Sequence, residues 1–393
     1  MRDQREILLP SGRPLRVLIV APSFEILGGQ SVQAARLIER LRQESWLQAD
    51  FLAINPRLPG VLGRVQAIKY VRTVVTSLLY VASLLVRIPK YDVIHIFSAS
   101  YFSFVLAPTP AILISKLYGK KILLNYHSGE AKDHLQRWRR SAIPTLRLVD
   151  ELVVPSEYLV RIFAEFGLRA TPIYNLIETD KFRFRKRQSL RPIFLSNRNF
   201  EAHYGVDRVL RAFAILQQRV PGARLIVAGD GPERQSLEKL ASDLNLQDTE
   251  FKGRIGHDKV IELYDQADIF LNGSEIDNQP LSILESFACG LPVVTTDAGG
   301  IVDMINNEKN GMIVQRGDYE GLAAAATQLL EDPILAQKIA TRALEECQKY
   351  SWKSVRSQWL TLYSRLGNHA RNQSEVGNEQ SGKTGAAQPT VAE

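Results

Sequence analysis

The sequence has few of the residues that stabilise secreted or metal-containing proteins. Its 393 residues include only two cysteines, Cys289 and Cys347, which cannot form a disulfide framework. The first residues do not combine a basic segment, an apolar run and a small-residue cleavage site, so no signal peptide is indicated. Histidines and carboxylates do not cluster with the spacing of a metal site. These absences predict a cytoplasmic protein that needs no metal ion or other cofactor.

The sequence also lacks the features of proteins that bind nucleic acids. We find no zinc-finger spacing, no basic recognition helix and no alternation of aromatic and basic residues, so a nucleic-acid partner is not expected. Positive charge is nevertheless uneven. Residues 1–180 contain 23 Lys and Arg against 15 Asp and Glu, whereas the remainder contains 26 against 27. A basic first half is suited to a phosphorylated substrate or to an anionic membrane.

Long hydrophobic runs are missing too. The most apolar stretch, Thr73 to Val86, is 14 residues long and lies between Arg72 and Arg87. It is too short to span a bilayer. Two interpretations remain open: a buried helix of the first domain, which is the default, or a helix with basic flanks that lies at a membrane interface. The second would add a peripheral membrane contact through the first domain, on the cytoplasmic face.

Alternating strand and helix patterns are what the sequence does contain. Short apolar runs that predict strands lie at residues 15–21, 92–97, 121–127 and 150–156, with helical patterns between them. The alternation begins again with runs at 192–198, 223–231, 249–255, 268–274 and 291–300. With 45% hydrophobic residues, the chain can bury two cores. We therefore predict an α/β protein with two Rossmann-like domains, residues 1–185 and 186–350, and a hinge in the polar, basic run 178–192.

The end of the chain is predicted to differ from both domains. Residues 351–367 form an amphipathic pattern that predicts a last helix, able to pack back on the first domain. Residues 368–393 contain very few apolar side chains, and we expect a disordered tail there.

The stretch DNQPLSILESFACGLPVV, which begins at Asp277, predicts a loop, a helix and a strand. Asn278 is suited to the N-cap, Pro280 to an early helical position and Gly290 to the C-cap. Free N–H groups and the dipole at the start of this helix favour an anion such as a diphosphate. Glu285 is placed to accept hydrogen bonds from a ribose diol, and Asp277 to reach another part of the same ligand. Alternatively, Asp277 only caps the helix and Glu285 is solvated.

This stretch and seven other segments, in the right order, resemble glycosyltransferase family 4, the retaining sugar-nucleotide transferases of GT-B fold. The resemblance implies two Rossmann-like domains that face each other across a cleft. It also implies transfer of a hexosyl group from a nucleoside diphosphate sugar to a hydroxyl of a glycan or lipid-linked acceptor. The seven segments are GGQSVQAARLIERL, NYHSGEA, VVPSEYLVRIF, YNLIETDKF, RVLRAFAILQQRVPGARLIVAGDGPERQSLEKLA, VIELYDQADIFLNGS and GGIVDMINNEKNGMIV.

Several residues of the second domain match positions with a role in that family. By resemblance, Glu285 binds the nucleotide ribose and Arg198 binds the phosphates through its planar guanidinium. Asp277 stands where the family has a Glu that contacts the transferred sugar, and it is one methylene shorter. The donor phosphates would also be held by the peptide groups of Gln279, Pro280, Leu281 and Ser282.

In the first domain, Gly28 and Gly29 match a glycine loop that lets the backbone approach a phosphate or the acceptor. His127 matches a family His near the donor sugar, although the residues alone also allow a strand-end His satisfied by its neighbours. One family residue is missing, because His203 and Tyr204 stand where a phosphate-binding Lys normally follows Arg198. This departure supports a second hypothesis, a non-catalytic sugar-nucleotide-binding regulator or scaffold of a glycosyltransferase.

Overall fold

The structure, a computed structural model, describes residues 13–25, 28–58, 68–98 and 100–383. These residues form two parallel sheets of six strands each, with helices on both faces. The first sheet consists of β1 (Leu15–Ala21), β2 (Leu47–Ala53), β3 (Val93–Ser98), β4 (Lys121–Tyr126), β5 (Glu151–Val154) and β6 (Thr171–Pro172). The second consists of β7 (Ile193–Asn197), β8 (Arg224–Ala228), β9 (Thr249–Gly253), β10 (Ile269–Asn272), β11 (Val293–Thr296) and β12 (Met312–Val314).

The helices follow the strands in the predicted alternation. In the first domain they are α1 (Gly29–Leu41), α2 (Lys69–Arg87), α3 (Tyr101–Leu106), α4 (Pro108–Leu117), α5 (Ala131–Arg137), α6 (Arg139–Leu146) and α7 (Glu157–Glu165). In the second they are α8 (Val206–Arg219), α9 (Arg234–Asp243), α10 (His257–Gln266), α11 (Leu281–Cys289), α12 (Ile301–Met304), α13 (Tyr319–Glu331) and α14 (Pro333–Cys347). The last helix is α15 (Trp352–Lys383).

Three strands were not predicted, and all three lie at sheet edges. The strand order is β2-β1-β3-β4-β5-β6 in the first sheet and β12-β11-β10-β7-β8-β9 in the second. The strands missed are β2, β6 and β12. Central strands of a parallel sheet are buried on both faces and appear as continuous apolar runs, whereas edge strands are shorter or partly polar. The sequence LQADFLA of β2, which mixes buried and exposed positions, illustrates this.

The last helix returns to the first domain. Val355, Trp359 and Tyr363 of α15 are buried in the same core as Leu15 of β1. The hydroxyl of Tyr363 lies 2.6 Å from Nδ1 of His95. The helix continues to Lys383, so residues 368–383 are helical where a disordered tail was expected, and residues 384–393 lie outside the described part. Propagating a helix from a packed first segment costs far less than starting one, which accounts for the extension.

The chain crosses between the domains at two neighbouring points. Ile177 on the way out and Ser351 on the way back form an isolated parallel bridge, and the amide of Ile177 donates to the carbonyl of Tyr350 at 2.9 Å. The later part of the predicted hinge is attached to the second domain, where buried Asp268 accepts hydrogen bonds from three side chains. The three are Arg185, Arg187 and Arg191. Residues 185–191 thus belong to the second domain, and the hinge between the domains stays a prediction for the residues before them.

Helix α2 contains the apolar stretch whose burial was in question. Tyr80 and Leu84 pack into the core of the first domain, but Val74 and Leu78 are 60% and 67% exposed. Only 17% of the window from Val71 to Lys90 is buried, so the prediction of a buried helix is wrong for most of its surface. By length and composition alone, these 20 residues meet the requirement for a membrane span, which the shorter stretch did not.

Candidate functional site

The candidate site lies where the carboxyl ends of the two sheets face each other. In the second sheet β7 and β10 are neighbours although they are not consecutive, so the loops that follow them turn in opposite directions. Ligands of open parallel sheets bind in the crevice that such a switch leaves. Arg198 directly follows β7, and the loop 273–280 connects β10 with α11.

A cavity of about 530 Å³ occupies the space between the two domains. Every residue that the sequence predicted for the site lines this cavity. These residues are Gly28, Gly29, His127, Arg198, Asp277, Gln279, Pro280, Leu281, Ser282 and Glu285. The structure thus brings the predicted residues together, while the role of each one stays a prediction.

Helix α11 starts and ends where the sequence indicated, but its cap differs. It begins at Leu281 and ends before Gly290, whose φ of 73° is the left-handed conformation expected of a C-cap glycine. Pro280 occupies the N-cap position, so the prediction of Asn278 as the N-cap is wrong. The side-chain oxygen of Asn278 instead meets the hydroxyl of Ser156 in the first domain. Among the described residues no side chain caps the first turn of α11.

Asp277 is held by several groups and does not cap the helix. It is only 8% exposed. Its Oδ2 accepts from the guanidinium of Arg198 and, at 3.2 Å, from the hydroxyl of Ser274. Its backbone is enclosed by Gly299, which has φ of 51°, and a Cβ there would lie 2.0 Å from the carbonyl oxygen of Asp277. Asp277 is therefore a fixed carboxylate inside the cleft.

The guanidinium of Arg198 is fixed on three sides. It forms the ion pair with Asp277, it donates to the hydroxyl of Ser282 at 3.3 Å, and its central carbon lies 4.1 Å from the ring centroid of Tyr204. Tyr204 is one of the two residues that replace the family's Lys. It therefore contributes a cation–π contact that orients Arg198 where a second positive charge was expected.

Glu285 is buried, so the alternative of a solvated helical position is wrong. The residue is 5% exposed. Its Oε2 accepts from the hydroxyl of Tyr264 at 2.9 Å, and its Oε1 lies 3.4 Å from Nη2 of Arg36 on α1. The carboxylate thus contacts both domains. A buried carboxylate with a cation and a hydroxyl donor is suited to binding polar groups of a ligand with a fixed geometry.

His127 follows β4 and faces the second domain. Its ring stacks on Phe97 with centroids 5.2 Å apart. Burial lowers the pKa of His127 to about 3, so the imidazole is neutral near pH 7. Its Nε2 is buried and has no hydrogen-bond partner in the described part of the chain. This nitrogen thus lacks the neighbouring partner that the alternative interpretation required, and His127 lines the cavity.

Three residues that contact the site were not assigned by the sequence. The amide of Asn175 donates to Oε1 of Gln279 at 2.6 Å, and Tyr264 and Arg36 hold Glu285. Asn175 and Arg36 lie within segments that resemble the family, but a polar residue inside a helix or linker pattern is equally typical of a solvated position. Their burial depends on the contact between the domains, which no local pattern specifies.

Acidic and histidine side chains do not form a metal site in the part of the chain that the structure describes, since no three of them lie close enough together to hold an ion. The first-domain wall of the cavity carries hydroxyl and carboxylate groups instead. Tyr101, which has φ of 53°, donates to Asp133 at 2.7 Å, and Ser128 and Glu130 line the same wall. Such groups are suited to binding hydroxyls.

Two family patterns match adjacent parts of the chain. The pattern described as Glycosyltransferase Family 4 matches residues 27–181, and the one described as Glycosyl transferases group 1 matches residues 178–346. Together they include both domains and meet at the crossing between them. The chain belongs to glycosyltransferase family 4. The predicted GT-B fold, two Rossmann-like domains across a cleft, is confirmed with it.

Two curated relatives show how far this family 4 chain resembles known enzymes. It is 28% identical over 289 residues to sulfoquinovosyl transferase SQD2 of Arabidopsis thaliana, with 68% of this chain and 55% of the relative covered. It is 29% identical over 213 residues to a GDP-mannose-dependent alpha-(1-6)-phosphatidylinositol monomannoside mannosyltransferase of Mycobacterium tuberculosis, with 50% and 54% covered. The chain thus spans about half the length of these relatives.

Solved structures have the same fold. The crystal structure of Anabaena Alr3699/HepE in complex with UDP superposes with a TM-score of 0.71, and the match covers 89% of this family 4 chain and all of that protein. At 17% identity, the likeness shows the shared architecture and no more.

Proposed function

We propose that this chain transfers a hexosyl group from a nucleoside diphosphate sugar to a hydroxyl group, with retention of the anomeric configuration and without a metal ion. The observation that carries the proposal is one cavity between the domains. On one side of it lie the uncapped start of α11, Arg198 and Glu285, and on the other lie His127 and the backbone of Gly28 and Gly29.

The donor diphosphate is assigned to the start of α11. Its backbone N–H groups and dipole favour negative charge, and the Nη atoms of Arg198 lie beside the same turn through the contact with Ser282. As the bond to the sugar breaks, these groups stabilise the charge that develops on the leaving diphosphate. Arg198 then exchanges part of its contact with Asp277 for phosphate oxygens.

The remaining groups position the nucleoside and the sugar. Glu285 accepts hydrogen bonds from the ribose hydroxyls, and Asp277 and the neutral imidazole of His127 contact the sugar hydroxyls. Neither residue attacks the anomeric carbon in this proposal. The leaving phosphate takes the proton of the acceptor hydroxyl on the face from which it departs, which gives retention. Closing the domains excludes water and limits hydrolysis of the donor.

The acceptor is proposed to be lipid-linked, and the protein to work at the cytoplasmic face of a membrane. Helix α2 exposes Val74 and Leu78, and α4 next to it exposes Leu113 and Leu117. Exposed apolar patches with basic residues around them bind lipid surfaces. Because Tyr80 of α2 is anchored in the core, with its hydroxyl bonded to the carbonyl of Ala107 at 3.0 Å, the helix lies along the surface and does not cross it. The name of the mycobacterial relative, a phosphatidylinositol monomannoside mannosyltransferase, supports this assignment.

A panel of UDP-, GDP- and ADP-sugars tests the proposal. One nucleoside diphosphate is expected to raise the thermal unfolding temperature, and the matching sugar nucleotide is expected to release nucleotide when an acceptor is added, equally well in EDTA. NMR of the product then gives the anomeric configuration. Binding without release from any donor would favour the non-catalytic regulator, and absence of any binding would contradict both hypotheses.

A further inference from the structure

Two side chains of α1 contact the segment where the chain leaves the first domain. Gln33 forms a pair of hydrogen bonds with Leu176, one through the amide and one through the carbonyl of that residue, each 2.7 Å long. Arg36, one turn further along, donates from Nη1 to the same carbonyl at 3.1 Å. Leu176 directly precedes Ile177, which pairs with Ser351 of the returning chain. Both side chains therefore lie at the crossing.

Arg36 also reaches the second domain. Its Nη2 lies 3.4 Å from Oε1 of Glu285, and its Nε lies 3.5 Å from Oε2 of Glu178 in the crossing segment. Arg36 is 3% exposed, Glu178 4% and Glu285 5%, so three charges are buried together. Lys181, whose Nζ lies 3.0 Å from Glu178, supplies the second positive charge. Buried ions require such partners, because an uncompensated buried charge costs several kcal/mol.

The two contacts of Glu285 come from different domains. Tyr264, which donates to Oε2, belongs to the second domain together with Glu285, so that contact moves with the carboxylate. Arg36 belongs to the first domain, so a rotation about the crossing separates it from Oε1. The planar guanidinium fixes the carboxylate in a way that a flexible ammonium does not.

We propose that Arg36 is a positioning residue that orients the carboxylate of Glu285 only when the two domains are closed, and that it thereby links donor affinity to domain closure. The inference rests on the proposed function, in which Glu285 binds the ribose. By linkage, a ligand that binds the closed state more tightly favours closure by the same free energy by which closure favours the ligand. The site that contains Glu285 binds the nucleoside diphosphate weakly in an open molecule and tightly in a closed one.

Arg36→Met is the decisive variant, because Met keeps the apolar length and removes the charge. We expect its dissociation constant for the nucleoside diphosphate to rise about tenfold in calorimetry, within the usual range for linked sites. The donor KM should rise similarly, with a smaller change in kcat. Arg36→Lys keeps the charge without the planar guanidinium, and its affinity for the nucleoside diphosphate is expected to fall about threefold. A role in packing alone would be served better by Met than by Lys.

Arg40→Met is the matched control. Arg40 lies one turn further along α1 and pairs at 3.8 Å with Asp180, whose side chain is 83% exposed, so this variant should bind like the wild type. Small-angle scattering without ligand adds a readout that needs no donor. Arg36→Met, and not Arg40→Met, should increase the radius of gyration.

The outcomes separate the inference from the proposed function. Wild-type affinity and unchanged scattering in a folded Arg36→Met protein would overturn the inference, as would a Met variant that binds better than the Lys variant. A more open Arg36→Met protein, together with no nucleoside diphosphate bound by the wild type, would uphold the coupling of the domains and contradict the role of Glu285.

Discussion

The two domains share one plan and use their outer surfaces differently. Each is a six-stranded parallel sheet with helices on both faces. Of the 14 large apolar side chains that are exposed in the described part of the chain, 12 lie in the first domain, and only Val302 and Ile334 lie in the second. The second domain therefore exposes very few large apolar side chains, as expected of a domain that binds a soluble ligand. The first domain retains an apolar face, as a domain that meets a lipid would.

The two domains also differ in the charge of their buried ionisable groups. Burial lowers the pKa of His95 and His127 to about 3 and that of His134 to about 4, so the first domain contains three neutral imidazoles. In the second domain, burial acts to raise the pKa of Asp268, but hydrogen bonds from Arg191, Arg185 and Arg187 outweigh it and lower the pKa to about 2. The three buried imidazoles of the first domain are thus neutral, whereas the buried carboxylate of Asp268 in the second domain is compensated by arginines.

The sharpest test of the second domain as the donor domain is Arg198→Ala. Removing the guanidinium takes away a side-chain cation that contacts Ser282 in the first turn of α11. We expect kcat/KM to fall about 10²- to 10³-fold, which is typical for the loss of one donor that stabilises developing charge. Affinity for the nucleoside without phosphates should change much less, because Glu285 remains. Steady-state rates and calorimetry measure the two quantities.

Arg211→Ala is the control for this prediction, since Arg211 is an exposed residue of α8 in the same domain. Equal rates for Arg198→Ala and Arg211→Ala would contradict the assignment of the donor diphosphate to the start of α11. The second domain could then no longer be described as the donor domain.

Local patterns predicted most elements of the second domain and the course of α11, whereas Arg198 was assigned to the site by resemblance to the family. The run from Asp277 to Gly290 contains the loop, the helix and the αL glycine that ends it, and each follows from residue chemistry. The cap was wrong because Asn278 is drawn to Ser156 of the first domain, a contact that no local signal indicates. Arg36 was not predicted for the same reason, because its burial depends on the packing of one domain against the other.

The exposure of α2 shows a second limit of sequence patterns. An apolar run predicts removal from water and does not specify what removes it, whether a protein core or a lipid surface. Tyr80 and Leu84 are buried in the protein core, whereas Val74 and Leu78 are exposed. The resemblance to the family did not help, because residues 55–90 lie outside its segments.

The next prediction concerns the apolar face of the first domain. The double variant Val74→Ser/Leu78→Ser should bind anionic vesicles about tenfold more weakly than the wild type, because two partly inserted side chains together contribute about 1.4 kcal/mol. Co-sedimentation with phosphatidylglycerol vesicles at low salt measures this. Activity on a soluble acceptor analogue should not change, since neither residue lines the cavity.

Val302→Ser/Ile334→Ser is the matched control from the second domain, where both residues are exposed. It should bind vesicles like the wild type. If both double variants bind equally well, or if the wild type does not bind anionic vesicles at all, the apolar face has another partner and the membrane proposal is wrong.

The last prediction concerns the pH dependence of the first domain's stability. Because the pKa of each of the three histidines is lower in the folded protein than its usual 6.5, the unfolded chain takes up protons first as the pH falls. Their contribution is complete above pH 6.5 and is lost toward pH 4 to 3. Asp268 loses its contribution only below pH 3.8, as the pH approaches 2. Between pH 6.5 and 5.5, each buried histidine should remove about 1 kcal/mol.

Tryptophan fluorescence isolates this effect, because all four tryptophans pack in the two cores of the first domain. The urea midpoint followed by fluorescence should fall between pH 6.5 and 5.5. His134→Gln, which cannot be protonated, should reduce the difference between the two pH values by about 1 kcal/mol. His203→Gln, a change at a partly exposed histidine of the second domain, should leave the difference as it is. A fluorescence midpoint that is the same at both pH values would mean that the buried imidazoles do not distinguish the stability of the two domains.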